Sequence, residues 1–326
     1  MKPRIFVTQP IPDKALSMLR RHGDVELNPD PTQIMTTAEL TAAVKKCDYL
    51  FCLLHDTLDR NVVGANPGLR MIASMAIIPA NIDVAEATAR KIPVTTVPPM
   101  VTEETADLAW GLMLAAARNI VAGDRTFRQG MFPGSQSMHL VGQGVHGKTL
   151  GIVGLGRIGE AMARRARGFD MRVLYTKRRR LDGDRERELG VECVSLEELL
   201  RRSDFVSVHA AGIPENRHLI GPPELRTMKP TAFLINTARG PLVDEAALAS
   251  ALEQRLIAGA ALDVYEHEPD VDADLLGRVD VVLTPHLGSA VVETRENMAL
   301  IVAENIVAVI EGRRPPNLFN PEIYED

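Results

Sequence analysis

Three side chains in the last third of the chain have the types that carbonyl chemistry needs. They are Arg239, Glu268 and His286. They lie in the runs Asn236-Thr-Ala-Arg239-Gly-Pro-Leu-Val-Asp244, Asp263-Val-Tyr-Glu266-His-Glu268-Pro269 and Thr284-Pro-His286-Leu-Gly288-Ser289. An arginine can clamp a carboxylate and polarise the adjacent carbonyl. A histidine can give a proton to a developing alkoxide. A carboxylate beside that histidine favours its protonated form near neutral pH. Taken singly, each is ambiguous. A lone arginine at a strand end is commonly a surface ion-pair partner, a glutamate before proline is usually solvated, and a histidine after Thr-Pro is as readily a loop residue. Their weight comes from position. Each run follows a predicted strand, and ligands of open α/β sheets bind beyond the carboxyl ends of the strands.

The source of reducing equivalents is suggested upstream, where Gly151-Ile-Val-Gly154-Leu-Gly156-Arg157-Ile158-Gly159 reads as strand, glycine turn and helix start. Gly154 permits the tight turn. Gly156 lets the backbone approach a pyrophosphate, and Gly159 lets the helix pack close to the strand. The phosphates would meet the helix N-terminus, where unpaired N–H groups and the dipole favour negative charge. An ordinary glycine-rich turn is the plain alternative. The flanks favour the nucleotide: a strand at 149–153, a helical run at 157–168 and a second strand at 172–175. An acidic residue usually ends that second strand and binds the adenosine ribose. Here Thr176 stands there, followed by Lys177, Arg178, Arg179 and Arg180. A hydroxyl followed by cations suits a 2′-phosphate, which a carboxylate would repel. NADP(H) is therefore expected ahead of NAD(H), with a merely solvated basic turn as the alternative.

The elements that must position these residues form two series. Strands are predicted at 4–8, 49–54, 70–74 and 92–96, then at 149–153, 172–175, 205–209, 232–236, 258–264 and 279–283. Helices are predicted between and beyond them, at 12–21, 102–119, 196–201, 245–253 and 293–311. Alternating strands and helices argue for an α/β protein of two doubly wound parallel-sheet domains. A Rossmann-type domain of residues 100–289 is expected to interrupt a second domain made of 1–99 and 290–326. A cleft between domains is the expected place for a small-molecule site. Residues 121–147 show no clear periodicity. They are expected to form a long excursion serving subunit contact or an active-site rim, where His139 and His146 could reach a partner's site.

Bulk properties narrow the class. The net charge of −6 leaves no global basic surface for nucleic acid. With 326 residues, 45% hydrophobic and 25% charged, the chain suits two ordinary globular domains. Cys47, Cys52 and Cys193 have no metal or redox spacing. No metal site is expected. No apolar run reaches the ~18–20 residues of a membrane helix. The N-terminal apolar run is too short for a signal peptide, so a cytoplasmic protein is expected.

Together these motifs resemble the D-isomer-specific 2-hydroxyacid dehydrogenase family, over essentially the whole chain. That family includes phosphoglycerate dehydrogenase and the glyoxylate/hydroxypyruvate reductases, the branch this chain is nearest. The resemblance implies a flavodoxin-like substrate domain split in sequence, an inserted nucleotide domain and a homodimer. It implies NAD(P)-dependent reduction of a small 2-oxo acid to the D-2-hydroxy acid. Arg239 matches the substrate-binding arginine, and Glu268 and His286 match the acid/base pair. Asp263 matches the residue near the nicotinamide carboxamide, and Arg157 and Ile158 match the pyrophosphate-binding pair. Thr105, Ala210, Thr237, Ala238 and Gly288 are further implied cofactor neighbours, with Thr176, Lys177, Arg178 and Arg179 at the ribose end.

The match fails in two places. The family's substrate loop typically reads Asn-Tyr-Ala-Val-Gly-Tyr-Asp-Asn-Ile-Asp, and backbone N–H groups of its Val-Gly pair hold the substrate carboxylate. Here the loop is Ser74-Met-Ala76-Ile77-Ile78-Pro79-Ala-Asn81-Ile-Asp83. Ile78 cannot comfortably take the positive φ open to glycine, and Pro79 restricts it further. Either the loop is reshaped around Ala76, Ile77 and Ile78, altering the substrate range, or Ile78 packs beneath it. The second departure is His209-Ala210-Ala-Gly212-Ile-Pro214, where the family often has His-x-Pro-Leu-Thr-Pro; His209 is expected to be structural. A formate-type enzyme pairs its histidine with glutamine, so Glu268 counts against that branch. A phosphite-type dehydrogenase is compatible with the same trio. A nucleotide-sensing corepressor on this scaffold is the alternative of a different class, and the lack of long disordered tails counts against it.

Overall fold

In the second half of the chain, short runs bounded by turns become strands, the central ones apolar and buried on both faces. They are β6 (Thr149–Val153), β7 (Arg172–Thr176), β8 (Val191–Cys193), β9 (Phe205–Val208), β10 (Phe233–Asn236), β11 (Gly259–Leu262) and β12 (Val281–Leu283). The first half supplies β1 (Arg4–Val7), β2 (Asp24–Leu27), β3 (Tyr49–Cys52), β4 (Met71–Ser74) and β5 (Val94–Thr95). In this computed structural model, which describes residues 2–325, they build two parallel sheets. The chain divides into two compact units: Met1–Met100 with Ala290–Asp326, and Val101–Ser289.

The larger sheet has the order β12-β11-β10-β9-β6-β7-β8, parallel throughout. The order reverses between β6 and β9, the switch point at which Rossmann-type sheets bind dinucleotides. Alternation along the strands feeds two cores. Ile152, Val173, Tyr175, Phe205 and Ile235 pack under the Thr102–Ala117 and Arg157–Ala166 helices. Val153, Leu174, Val206 and Leu234 pack under Leu196–Arg202 and Glu245–Glu253. Each such buried aliphatic side chain contributes about 1.5–3 kcal/mol of transfer free energy.

The smaller sheet, β2-β1-β3-β4-β5, is also parallel and has the flavodoxin-like order. The last long helix, Val292–Ile310, packs on the Asp13–His22 helix, where Lys14 Nζ meets Glu296 at 2.5 Å.

Two strands escaped the sequence reading. Edge strand β2 (Asp-Val-Glu-Leu) has no buried residue, and edge strand β8 has only Val191 buried. Neither forms the continuous apolar run of a central strand. The excursion also contains an unforeseen helix, Ile120–Arg128, with no buried residue. Among the described residues no helix is long and apolar enough to cross a membrane.

Candidate active site

Loops beyond the carboxyl ends of six strands of the larger sheet, β6, β7, β9, β10, β11 and β12, carry most of the candidate residues. The glycine turn follows β6. Gly154 adopts φ 94°, and a Cβ there would lie 2.5 Å from the Ala210 nitrogen, so only glycine fits between β6 and the loop after β9. Gly156 begins the Arg157–Ala166 helix with no side-chain cap, and nothing lies within 4 Å of where its Cβ would be. The first N–H groups of a helix have no intrahelical partner, and the space beside Gly156 is open. That is the cradle a pyrophosphate requires.

The turn after β7 is pinned to this loop. The Thr176 carbonyl accepts the Gly154 N–H at 2.9 Å, and Lys177 Nζ donates to the Leu155 carbonyl at 2.7 Å. Arg178 and Arg179 are exposed. Arg180 instead holds both oxygens of Glu186, at 2.8 and 2.7 Å. Arg180, then the Tyr175 hydroxyl, brings the Glu186 carboxyl down to about 2.

At the other end of the cradle, the buried Asn236 ends β10 and shapes the next turn. Its amide donates to the Arg239 carbonyl at 2.9 Å and its oxygen accepts the Ala238 N–H at 3.1 Å. Thr237 Oγ1 is buried with no partner, an orphaned polar atom next to Ala238. With the open cradle, it fits a nicotinamide dinucleotide lying across the sheet. The Arg239 guanidinium is exposed and donates to the Ala238 carbonyl at 2.7 Å. Its neighbour Gly240 packs so closely that a Cβ would lie 1.8 Å from the Tyr265 carbonyl oxygen. The Arg239 turn and the Glu268 loop are thereby locked together.

Glu268 is the centre of that loop. Its Oε1 accepts the Tyr265 N–H at 3.0 Å, and its Oε2 meets His286 Nδ1 at 2.8 Å. Both side chains are about one-fifth exposed, 18% and 20%. His286 has φ 54°, a left-handed conformation uncommon outside glycine. Its N–H donates to the Asp263 and Thr284 carbonyls at 2.9 and 3.1 Å. Asp263 is 1% exposed, and both its oxygens are engaged. Oδ1 takes Thr284 Oγ1 and the Leu287 N–H, each at 2.7 Å, and Oδ2 takes the Gly288 N–H at 3.0 Å. Burial pushes its carboxyl up, against these donors. Thr105 Oγ1 closes the group from the Thr102–Ala117 helix, donating to the Gly288 carbonyl at 3.1 Å.

Several supporting residues were not foreseen. Buried Glu245, first in its helix, accepts the backbone N–H of Glu266 and, at 3.4 Å, that of Asp272, bracketing Glu268. Tyr265 joins the Glu268 and His286 loops by donating to the Thr284 carbonyl at 2.8 Å. Glu266 pairs with His218 Nε2 at 2.7 Å and with Arg217. The Asp244-Glu245 pair reads in sequence as helix-start acids, and Asp244 is one, capping Ala247 at 2.9 Å. Nothing local marks Glu245 as the buried partner of a distant loop.

In the smaller unit, the loop after β4 buries Met75, Ala76 and Pro79, leaves Ile77 half-buried and exposes 54% of Ile78. Ile78 does not pack beneath the loop. It is also absent from the positive-φ residues, so the backbone avoids the conformation isoleucine would resist.

Comparison with known proteins follows the same outline. Residues 110–288 match the family model "D-isomer specific 2-hydroxyacid dehydrogenase, NAD binding domain". A glyoxylate reductase of Korarchaeum cryptofilum is 49% identical over 327 residues, covering 100% of this chain and 98% of that protein. A Thermus thermophilus protein of known crystal structure is 40% identical, with a TM-score of 0.88 over 97% of this chain and 99% of its own. An NADPH-dependent glyoxylate/hydroxypyruvate reductase from Sinorhizobium meliloti, solved with NADP and malonate, is 32% identical. Its TM-score is 0.77, over 98% of this chain and 97% of its own.

Proposed function

The chain belongs to the D-isomer-specific 2-hydroxyacid dehydrogenase family and is an NAD(P)-dependent oxidoreductase, and from that premise we propose that it reduces glyoxylate or hydroxypyruvate with NADPH. The observation that carries the reading is the 2.8 Å pair of His286 Nδ1 and Glu268 Oε2, locked through Gly240 and Tyr265 to the Arg239 turn. The nicotinamide cofactor supplies a hydride to the carbonyl carbon. Arg239 binds the 2-oxo acid's carboxylate and polarises its carbonyl. The backbone N–H groups around Ala76, Ile77 and Ile78 also serve substrate binding. Glu268 orients His286 through Nδ1, so the proton for the forming alkoxide leaves from Nε2. The product from hydroxypyruvate is the D-2-hydroxy acid; glyoxylate gives glycolate, which has no stereocentre.

The cofactor is held by the uncapped helix start at Gly156, Arg157 and Ile158, behind Gly154 and Gly159. Thr176, Lys177, Arg178 and Arg179 receive the adenosine end. Thr105, Ala210, Thr237, Ala238, Asp263 and Gly288 surround the nicotinamide end. The preference for NADPH is supported by Thr176 where an acid would stand, and by the exposed Arg178 and Arg179. A homodimer is supported by the segment around the Ile120–Arg128 helix, where Phe127, Phe132 and Met138 are 64%, 73% and 83% exposed.

The test is turnover of glyoxylate and hydroxypyruvate with NADPH and NADH in parallel, in the wild type and in Arg239→Ala and His286→Ala. Each variant is expected to lose activity by about 10²–10⁴-fold. Full turnover in either variant overturns its role, and faster turnover with NADH overturns the cofactor preference.

A further inference from the structure

The turn after β7 is held by side chains that neither bind nor face the cofactor in the reading above. Tyr175 is 0% exposed. Its hydroxyl donates to Glu186 Oε1 at 2.6 Å and accepts the Leu181 N–H at 3.0 Å. Arg180 grips both oxygens of the same carboxylate. Residues 176–181 are thus fastened at both ends, by Thr176 and Lys177 to the glycine loop and by Arg180 and Leu181 to Glu186 and Tyr175. The charges are sorted by the same contacts. Arg180 neutralises a glutamate that would otherwise repel an anion beside the turn. Arg178 and Arg179 form no ion pair among the described residues.

An exposed basic turn of this length is ordinarily mobile, and a mobile arginine loses side-chain and backbone freedom when it grips a ligand. A fastened turn has already lost the backbone part. A fork of two arginines presented on a fixed backbone is therefore better suited to one extra phosphate group than four loose cations.

We propose that Tyr175, Glu186 and Arg180 form a positioning clamp for cofactor discrimination, fixing the 176–181 turn so that Arg178 and Arg179, and not Arg180, take the 2′-phosphate. The inference rests on the NADPH reading and assigns its selectivity to three residues that do not touch the cofactor.

The test is equilibrium binding of NADPH and NADH to the intact protein, followed by nicotinamide fluorescence, for wild type, Tyr175→Phe and Glu186→Gln. Both variants keep all four cations. Tyr175→Phe removes one hydroxyl, leaving the Leu181 N–H and one Glu186 bond without a partner. The Kd for NADPH is expected to rise about tenfold, the loss of roughly one charge-assisted hydrogen bond, while that for NADH stays within about twofold. Glu186→Gln separates the clamp from simple electrostatics. Removing a negative charge should tighten NADPH binding if net charge alone matters, and should weaken it if the clamp sets the turn. Melting temperatures report fold loss separately, and either variant suffices if the other does not fold. A wild type that prefers NADPH, with variants that keep its NADPH/NADH ratio or bind NADPH more tightly, overturns the clamp alone. A wild type without NADPH preference overturns the cofactor reading and the clamp with it.

Discussion

Beyond β10, β11 and β12, ionisable side chains stand on the loop tips and other side chains hold them there. Glu268 meets His286 at 2.8 Å, Asp263 gathers the 284–288 loop, and Glu245 fastens the segment around Glu268. Beyond β1, β3 and β4 of the smaller sheet the order is inverted. Polar groups lie at the base: Asp56 accepts Thr8 Oγ1 at 2.5 Å and the Leu53 N–H at 2.7 Å, and Asn81 donates to the Leu53 and Asp56 carbonyls. The tip is apolar, with Met75, Ala76, Ile77, Ile78 and Pro79. Proton transfer needs a charged group within hydrogen-bond reach of one atom, so the chemistry side must be fixed at its tips. If the loop after β4 recognises substrate through backbone donors, as proposed, it needs only its base fixed, and its side chains are left to set the substrate range.

The contrast is broken most severely at the dyad. Glu268→Gln keeps the shape of the partner and removes its charge, and kcat is expected to fall about 10²–10³-fold with little change in the Kd for NADPH. Activity near wild type would mean that the tip charge is dispensable. Gly240→Ala acts one step back. Its methyl would collide with the Tyr265 carbonyl oxygen, so one of the two turns must move. A misplacement near 1 Å costs about 10²-fold, so kcat should drop by roughly that amount while both ionisable side chains remain. Unchanged turnover would show that the Arg239 and Glu268 loops need not be held in register.

The two edges also bury opposite ionisable groups, which predicts opposite responses to acid. His209, at the end of β9, shares a 2.8 Å hydrogen bond with Ser207 and leaves Nδ1 buried without a partner. Burial pushes it down to about 4. The unfolded chain therefore binds the extra proton between about pH 6.5 and 4. Stability is fully present above that window and is lost as pH falls through it, by on the order of 3 kcal/mol. Asp56 runs the other way. Burial raises its carboxyl against the Leu53 and Thr8 donors, so its native state gains stability as pH falls and loses it as pH rises. Hydrogen exchange followed from pH 7 to 4.5 should show protection falling earlier in β6, β9 and β10 than in β1, β3 and β4. His209→Asn should flatten the difference; equal losses in both sheets would remove the assignment.

How far the sequence could be read follows the same division. The strands that position the site are continuous apolar runs, and Gly154, Arg239, Glu268 and His286 stand within motifs a few residues long, so their places were visible in advance. The edge strands β2 and β8 were not, because their alternating or polar side chains lack that run. The Ile120–Arg128 helix was hidden because none of its residues is buried, Val121 packing only at the margin of the core. The supporting residues were invisible for a different reason. Glu245 reaches Glu266 and Asp272 across more than 20 residues, and Tyr175 and Glu186 meet only once β7 and the helix that follows are folded. Such pairings carry no periodicity and no local motif. The consequence of Ile78 was left open by sequence, and its exposure settles only that the side chain leaves the loop.

That exposure gives the smallest and most selective effect. If the recognition tip works through its backbone, trimming Ile78 should leave the chemistry alone. Ile78→Ala is expected to change kcat for glyoxylate by less than about threefold, because no ionisable group is touched. It should raise kcat/KM for 2-oxo acids with longer side chains by about tenfold, since removing a few methylene-sized groups from a binding site is worth about 1–3 kcal/mol. Paired kinetics with glyoxylate and a branched 2-oxo acid provide the measurement. A large loss of kcat on glyoxylate would place Ile78 in the catalytic geometry and erase the distinction between the two edges. Identical ratios for both substrates would leave the range to be set elsewhere, by the Arg239 turn or by the 75–80 backbone itself.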